Sequence, residues 1–495
     1  MDVSTLERMH DAGILSPAEY ASALRDIAAS TGDARAAGAG TLVFGKWATT
    51  LYGFVEGDAI YDTTQSFADL AGNGQVLRPS GSMAPNVSAT SGLQPGTTQP
   101  VQPTQGYLGS HGQLQFSVRN SRLGLQLHVP GTEAVRTSAI VEMDFLGNQP
   151  SGTSASSVFN NPTMRLRHAM FRMETPIVDL LVGQYWHLFG WQEAYMPNTT
   201  EIQGVPGQLY SRAAQLRIAK AFRGPRASFE MAIAALRPPA LSEVPEAEAG
   251  VRVSLNHWTG MHTAGATGTS IVPASIAVTG NFRYFEIPEA AAVVPTAMVR
   301  TPAGSAAASL LLPVLPARED RRGNALSIIA QGVYGNGIAD LYSNMQSGVM
   351  FPFVPDVAGV SPPWQANIDQ GLVTYDLGEY ALHPVQWTSG LVGLEYYLPG
   401  FDGRLWVSGN YSHMESNNSS QFARDNSMAP NPTAYFYLTS QAQVRSSEDW
   451  WDANVFFDPA TSVRIGVEFA GFYDHYADGF TATNYRAQAS GFFVF

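Results

Sequence analysis

The sequence predicts an all-β protein, a transmembrane antiparallel β-barrel of about 16 strands (about 18 is the alternative count) behind a short N-terminal helical segment. Three observations lead there. Only 14% of the 495 residues are charged, against about 25% in ordinary soluble proteins, while 45% are apolar and 11% aromatic. There is no run of about 20 apolar residues, hence no membrane-spanning helix; the nearest approach, Ala303 to Ala317, is broken by Pro313 and Pro316. Finally, the stretch Asn484 to Phe495 alternates. Tyr485, Ala487, Ala489, Gly491, Phe493 and Phe495 fall on one side of an extended strand, and Arg486, Gln488 and Ser490 open the other. Such a strand suits a barrel wall with lipid outside and water inside.

Residues 1–40 read as a helical segment and linker. Leu6, Met9, Ile14, Tyr20, Leu24 and Ile27 recur at broadly helical spacing, and Ser16-Pro17 followed by Glu19 forms a helix-start signature after Gly13. A Gly/Ala-rich linker follows, Thr31 to Gly40. A unit this small buries no core alone. A periplasmic coiled coil with copies of itself is one expectation, a loose amphipathic helix the other. No apolar export segment follows Met1, so the expectation is that any such signal lies upstream of this start.

Residues 41–495 read as the barrel. From Lys46 the period becomes two: Leu51, Gly53, Val55, Gly57, Ala59 and Tyr61 oppose Tyr52, Phe54, Glu56 and Asp58. Thr63 to Tyr107 is rich in Ser, Gly, Pro, Thr and Gln and reads as a long exposed loop. Alternation then returns repeatedly. Leu123, Leu125 and Leu127 oppose Arg122, Gln126 and His128; Ala139, Val141 and Met143 oppose Ser138, Glu142 and Asp144; Val251, Val253 and Leu255 oppose Arg252, Ser254 and Asn256. Late in the chain, Trp451, Ala453, Val455 and Phe457 oppose Asp452 and Asn454, then Asp458-Pro459-Ala460-Thr461 turns tightly into Val463, Ile465, Val467 and Phe469. Gly147 to Pro162 reads as a loop able to fold inward as a constriction. Glu286 to Arg322 reads as an Ala/Pro-rich solvated loop, and Asn336 to Gln346 as another with a helical turn.

Cost decides which face is which. An arginine facing lipid near the midplane costs roughly 2–4 kcal/mol, and these strands place one opposite the apolar set again and again. Their sum exceeds a typical domain's whole stability of about 5–15 kcal/mol, so the arginine face is the lumen.

A net charge of −13 argues against nucleic-acid binding, and the absence of cysteine excludes disulfides and thiolate metal sites. Lys46 and Lys220 are the only lysines among 28 basic residues, so the positive charge is almost all permanent, fork-shaped guanidinium. The sequence has no G-x-S-x-G, Walker, H-E-x-x-H or C-x-x-C motif, and His257 and His262 make no metal motif; no catalytic residue, metal or cofactor is expected. Catalytic triads are spatial, so a barrel enzyme of hydrolase type, or a non-conducting adhesion or scaffold barrel, stays open as the alternative.

Between Val178 and Phe222 the chain resembles the DcaP-like outer-membrane porins and, more distantly, the phosphate-selective OprP-type porins. The resemblance rests on Leu181-Val182-Gly183-Gln184-Tyr185-Trp186-His187-Leu188-Phe189, the loop Glu201 to Pro206, and Arg212-Ala213-Ala214-Gln215-Leu216-Arg217. Leu51 to Phe54, Ser121 to Gly124, Arg165 to Ala169 and the leader Gly13 to Glu19 support it. It implies an outer-membrane trimer of barrels that takes up small anionic solutes such as dicarboxylates. The chain lacks the lysine ladder of a phosphate-specific channel.

The tightest basic grouping is Arg119, Arg122, Arg136, Arg165 and Arg167, to which the resemblance adds Arg212 and Arg217. Glu142 and Asp144 are the acids beside it. Two roles stay open: binding a solute carboxylate through the guanidinium fork, or pairing with Glu142 and Asp144 to hold the lumen together. Over the whole lumen face bases and acids are nearly balanced, which implies opposed charged walls rather than a uniform anion filter.

Overall fold

The computed structural model describes residues 41–44, 47–64, 112–129, 135–147, 162–200, 204–239, 242–263, 269–288, 297–318, 321–343, 372–376, 381–419, 445–476 and 481–495. The expectations for residues 1–40, for 65–107 and for most of Gly147 to Pro162 fall outside them.

The main sheet joins 18 hydrogen-bonded segments, every pair antiparallel, and it closes on itself as a barrel of 16 strands. We number these β1 (Trp47–Asp62), β2 (in two pieces, Gln113–Ser117 and Arg122–Val129), β3 (Arg136–Asp144), β4 (Arg165–Glu174), β5 (Asp179–Trp186), β6 (Arg212–Arg223), β7 (Ala227–Leu236) and β8 (Glu246–Thr263). They continue as β9 (Thr269–Pro288), β10 (Met298–Leu315), β11 (Ala325–Asn336), β12 (Gln386–Tyr397), β13 (Leu405–Ser416), β14 (Arg445–Ala460), β15 (Val463–Tyr476) and β16 (Thr481–Val494). A short strand, Thr41–Phe44, adds a hairpin partner to β1. Closure is made by β1 against β16, Phe54 opposite Val494 through Asp62 opposite Arg486.

Alternation sorts the side chains as the sequence predicts. Val55, Phe116, Ile233, Val278, Val455 and Val467 are at least half exposed on the outer wall, while Glu56, Asp58, Arg167, Arg283, Glu468 and Arg486 are buried within. Exposed tyrosines (Tyr61, Tyr334, Tyr411, Tyr485) ring the end with the long connections, and exposed phenylalanines (Phe222, Phe229, Phe457, Phe493) ring the end with the short turns. Two aromatic girdles around an apolar band are the expected imprint of a bilayer on a barrel.

Glu286 to Arg322 corrects the sequence reading: its described residues hold the end of β9 and all of β10 rather than a continuous loop. Its alternation is disguised because Gly304, Ala306 and Ala308 face out while Ala303 and Ala307 face in, so both faces are small. The prolines fit because Pro302 lies beyond the pairing with β11, which starts at Ser305, and Pro313 sits at a register shift. The turn expected after Asn336 is present as a short 3₁₀ segment, Ala339–Leu341.

An arginine at Val467, in the middle of the outer wall, is expected to lower the stability of the lipid-embedded barrel by roughly 2–4 kcal/mol. Denaturant unfolding from lipid vesicles, followed by tryptophan fluorescence, measures this; an unchanged midpoint would mean that this wall does not face hydrocarbon.

Candidate functional site

The chain between β5 and β6, in its described residues 187–200 and 204–211, turns into the lumen instead of away from it. Gly190 (φ 79°) and Trp191 (φ 45°) take left-handed conformations within the 3₁₀ turn Phe189–Ala194 and redirect the backbone. A side chain at Gly190 would also sit 2.8 Å from Leu209 Cδ1. Leu188, Phe189, Trp191, Tyr195 and Leu209 are buried against Ala232, Ala234, Ala277, Ala303 and Ala307, alanines that line one inner wall and leave room for them.

Polar latches then carry the segment across the barrel. Glu248 on β8 accepts the backbone N–H groups of Leu188 (2.7 Å) and Phe189 (3.1 Å). Thr279 Oγ1 accepts the Gly190 N–H at 2.8 Å, and Tyr195 Oη donates to Ser275 at 3.0 Å. On the far wall Ser408 and Asn410 donate to the Asn198 carbonyl at 2.8 and 2.7 Å, and Thr200 N–H reaches Asn454 at 2.8 Å and Glu468 at 3.1 Å. A second inward turn after β11 clasps the returning limb: Tyr210 N–H donates to Leu341 O at 2.8 Å and Ser343 Oγ to Val205 O at 2.6 Å. The lumen is therefore partitioned by this segment. The sequence predicts the inward role for Gly147 to Pro162, of which residues 148–161 lie outside the described residues.

Beside the root of this segment lies a basic cluster. A register shift in β4 makes Arg167 an extra residue, so that Arg167 and His168 are both buried. Opposite it, Gly183 has φ 124°, and a Cβ there would come within 2.2 Å of Ala169 O. Asp144 accepts two bonds from Arg165 (3.0 and 2.6 Å) and one from Arg167 (3.0 Å). Glu142 accepts from Arg167 at 2.7 Å and from Tyr52 Oη at 3.1 Å, with Arg122 Nε at 3.7 Å. Arg167 also donates to Tyr210 Oη at 3.2 Å. Arg212 lies over the rings of Trp186 (4.9 Å) and Tyr210 (5.5 Å), which meet edge to face at 4.7 Å. Tyr210 sits on the inward segment; burial pushes its phenol up, but Arg167, Arg212 and Arg122 outweigh that and hold it below its usual value.

Four guanidinium groups thus face two carboxylates. Arg212 Nη1, Arg122 Nε and His168 Nδ1 are buried with no hydrogen-bond partner among the described residues. A surplus of desolvated positive charge with unused donors is costly unless an anion completes it.

The remaining expected residues are elsewhere. Arg217 is buried next door, donating to Gln215 at 3.0 Å and to the Trp186 carbonyl. Arg119 lies in the break of β2, with Nε 3.5 Å from Phe145 O. Arg136 is exposed at the short-turn end, opposite Glu174, and does not join the cluster; strand parity alone had put it there, although it is the first residue of β3. Tyr210 escaped sequence reading because its loop position gave no periodic signal. On β12, β14 and β15 Glu395, Glu448, Asp452, Glu468 and Asp474 are buried beside Arg445 and Arg464, so on that wall the described buried acids outnumber the bases.

No family model matches the sequence, and no curated protein matches it. Solved structures do. The outer membrane channel DcaP of Acinetobacter baumannii superposes with a TM-score of 0.57 at 17% identity, covering 91% of this chain and 97% of that one. The chain has the fold of an outer-membrane porin. More distant likenesses are OprB of Pseudomonas putida (TM-score 0.47, 10% identity, 90% and 94% coverage) and the anion-selective porin from Comamonas acidovorans (0.43, 9%, 91% and 100%).

Arg167→Met is expected to cost about 3–5 kcal/mol, because buried Glu142 loses its one close ion pair and Asp144 one of its two. Arg212→Met, which removes ring contacts but no carboxylate pair, is expected to cost only about 1 kcal/mol. Unfolding midpoints of the two variants side by side check this, and equal losses would show that the ion pairs carry no special weight.

Proposed function

We propose that this protein is a passive outer-membrane diffusion channel for small hydrophilic solutes, a homotrimer with residues 1–40 on the periplasmic side, and that it favours small organic anions such as dicarboxylates. No catalytic role belongs to this reading. The observation that carries it is the surplus of positive charge in the cluster, four guanidinium groups (Arg122, Arg165, Arg167 and Arg212) against the carboxylates of Glu142 and Asp144, set at the root of the segment that partitions the lumen. Solutes crossing the lumen meet this charge where the passage is shared with residues 187–211. Arg212 Nη1 and Arg122 Nε are two separate unused donors, so a solute with two carboxylates gains from both. The acidic wall on β12, β14 and β15 sets up a transverse field that orients a dipolar or anionic solute as it passes.

In a planar bilayer the purified protein is expected to give stepwise conductance, with a reversal potential of anionic sign in a potassium chloride gradient. Succinate is expected to interrupt the current, and Arg212→Met to weaken both effects several-fold. A cation-selective reversal potential, or selectivity unchanged in Arg212→Met, would overturn the arginine assignment. A well-inserted barrel that never conducts would favour a scaffold role instead.

A further inference from the structure

A second charged cluster lies apart from the arginines, at the start of the inward segment. His187 Nδ1 is 2.8 Å from Glu248 Oε1 and 3.8 Å from Glu246 Oε1, and all three side chains are buried. The candidate ligand atoms of these three residues all lie within 4.8 Å of one another. Ligand atoms on a tetrahedral shell of about 2.0–2.2 Å stand about 3.3–3.6 Å apart, so the observed pair of distances brackets that spacing. We propose that His187, Glu246 and Glu248 form a binding site for a first-row divalent cation, with Zn²⁺ the best fit and Asn281 as the fourth ligand.

The surroundings are arranged as a ligand shell requires. Glu248 offers Oε1 to His187 while its Oε2 is fixed by the Leu188 and Phe189 N–H groups. Glu246 is oriented by Arg283, whose Nε is 3.0 Å from it and whose charge is drawn off by Asp340 at 2.5 Å and the Gly337 carbonyl at 2.8 Å. Such outer partners fix the ligands' geometry. Asn281 supplies an independent sign. Its Nδ2 faces both glutamates, 3.3 Å from Glu248 Oε1, while its Oδ1 is buried without a partner. Turning the amide over aims that oxygen at the ion and removes the orphan acceptor. One imidazole nitrogen with three oxygens suits Zn²⁺ better than Mg²⁺ or Ca²⁺, which take oxygen alone.

The charged groups around His187 are Glu246, Glu248 and Arg283, with Asp340 behind Arg283 and Arg217 near Glu248. Imidazole and carboxylate bind a metal ion only in their deprotonated forms, so binding tightens as pH rises. The ion would tie the root of the inward segment to β8 and β9.

Full-length protein in detergent micelles, stripped with EDTA and titrated with zinc chloride in a calorimeter, tests this. One equivalent of Zn²⁺ per protomer is expected, bound more tightly at pH 8 than at pH 6. His187→Gln and Glu246→Gln are each expected to weaken it at least tenfold, with the heat-modifiable gel migration of the folded barrel retained. Asn281→Asp, which adds charge without removing a ligand, is expected to tighten it at least tenfold. Absence of stoichiometric zinc in the unaltered protein, unchanged affinity in His187→Gln, or unchanged affinity in Asn281→Asp overturns the assignment. None of these outcomes depends on whether the barrel conducts.

Discussion

Everything in this structure depends on closing the sheet. In hydrocarbon no water is available for an unpaired strand edge, so the first and last strands must find each other. They do so over Phe54 to Asp62, and the last residue completes the seam: Gly53 and Phe495 exchange backbone hydrogen bonds at 3.0 Å in each direction. Polar side chains reinforce it from inside, with Arg486 gripping Asp62 at 3.0 and 3.2 Å and Ser490 donating to Asp58 at 2.6 Å. Once that seam is made, every inward polar group lies in one enclosed space and must be satisfied there.

How the enclosed groups are satisfied explains the shape of the lumen. Small residues on β7 to β10 and polar residues on β8, β9 and β12 to β15 are complementary to one chain segment, residues 187–211, which fills the space between them. Alanines on the inner wall are therefore not a sign of an unfilled channel. They are the sockets for Trp191, Tyr195 and Leu209. The basic cluster escapes full neutralisation because Arg212, the first residue of β6, follows Tyr210 into place over Trp186, where rings rather than carboxylates receive it.

The fold was legible because a lipid-facing wall obeys a strict period. Leu51 to Tyr61, Val251 to Leu255 and Tyr485 to Phe495 each announce their faces without help from the rest of the chain. Legibility failed where both faces are small, as in β10, and where the backbone leaves the period, as at the shift that makes Arg167 and His168 both face inward. Parity could group Arg122, Arg165 and Arg167, but it could not bring Tyr210 to them or send Arg136 away, since a loop's path and a strand's end are set by tertiary contacts. The His187, Glu246 and Glu248 constellation is illegible for the same reason: two of its members are neighbours on one strand and the third is some sixty positions earlier in an irregular stretch.

The latches of the inward segment also bear on how such a barrel is made. Thr200 is held by Asn454, 254 residues further along the chain, and Thr199 by Glu468, 269 residues further. Contacts this distant form late, because the loop between them must be ordered before they are gained. The far end of the inward segment can be anchored only once β14 and β15 stand opposite it, while its near end needs only β8 and β9. The partition of the lumen is therefore built from its root outward, and its last joints wait for the last part of the wall.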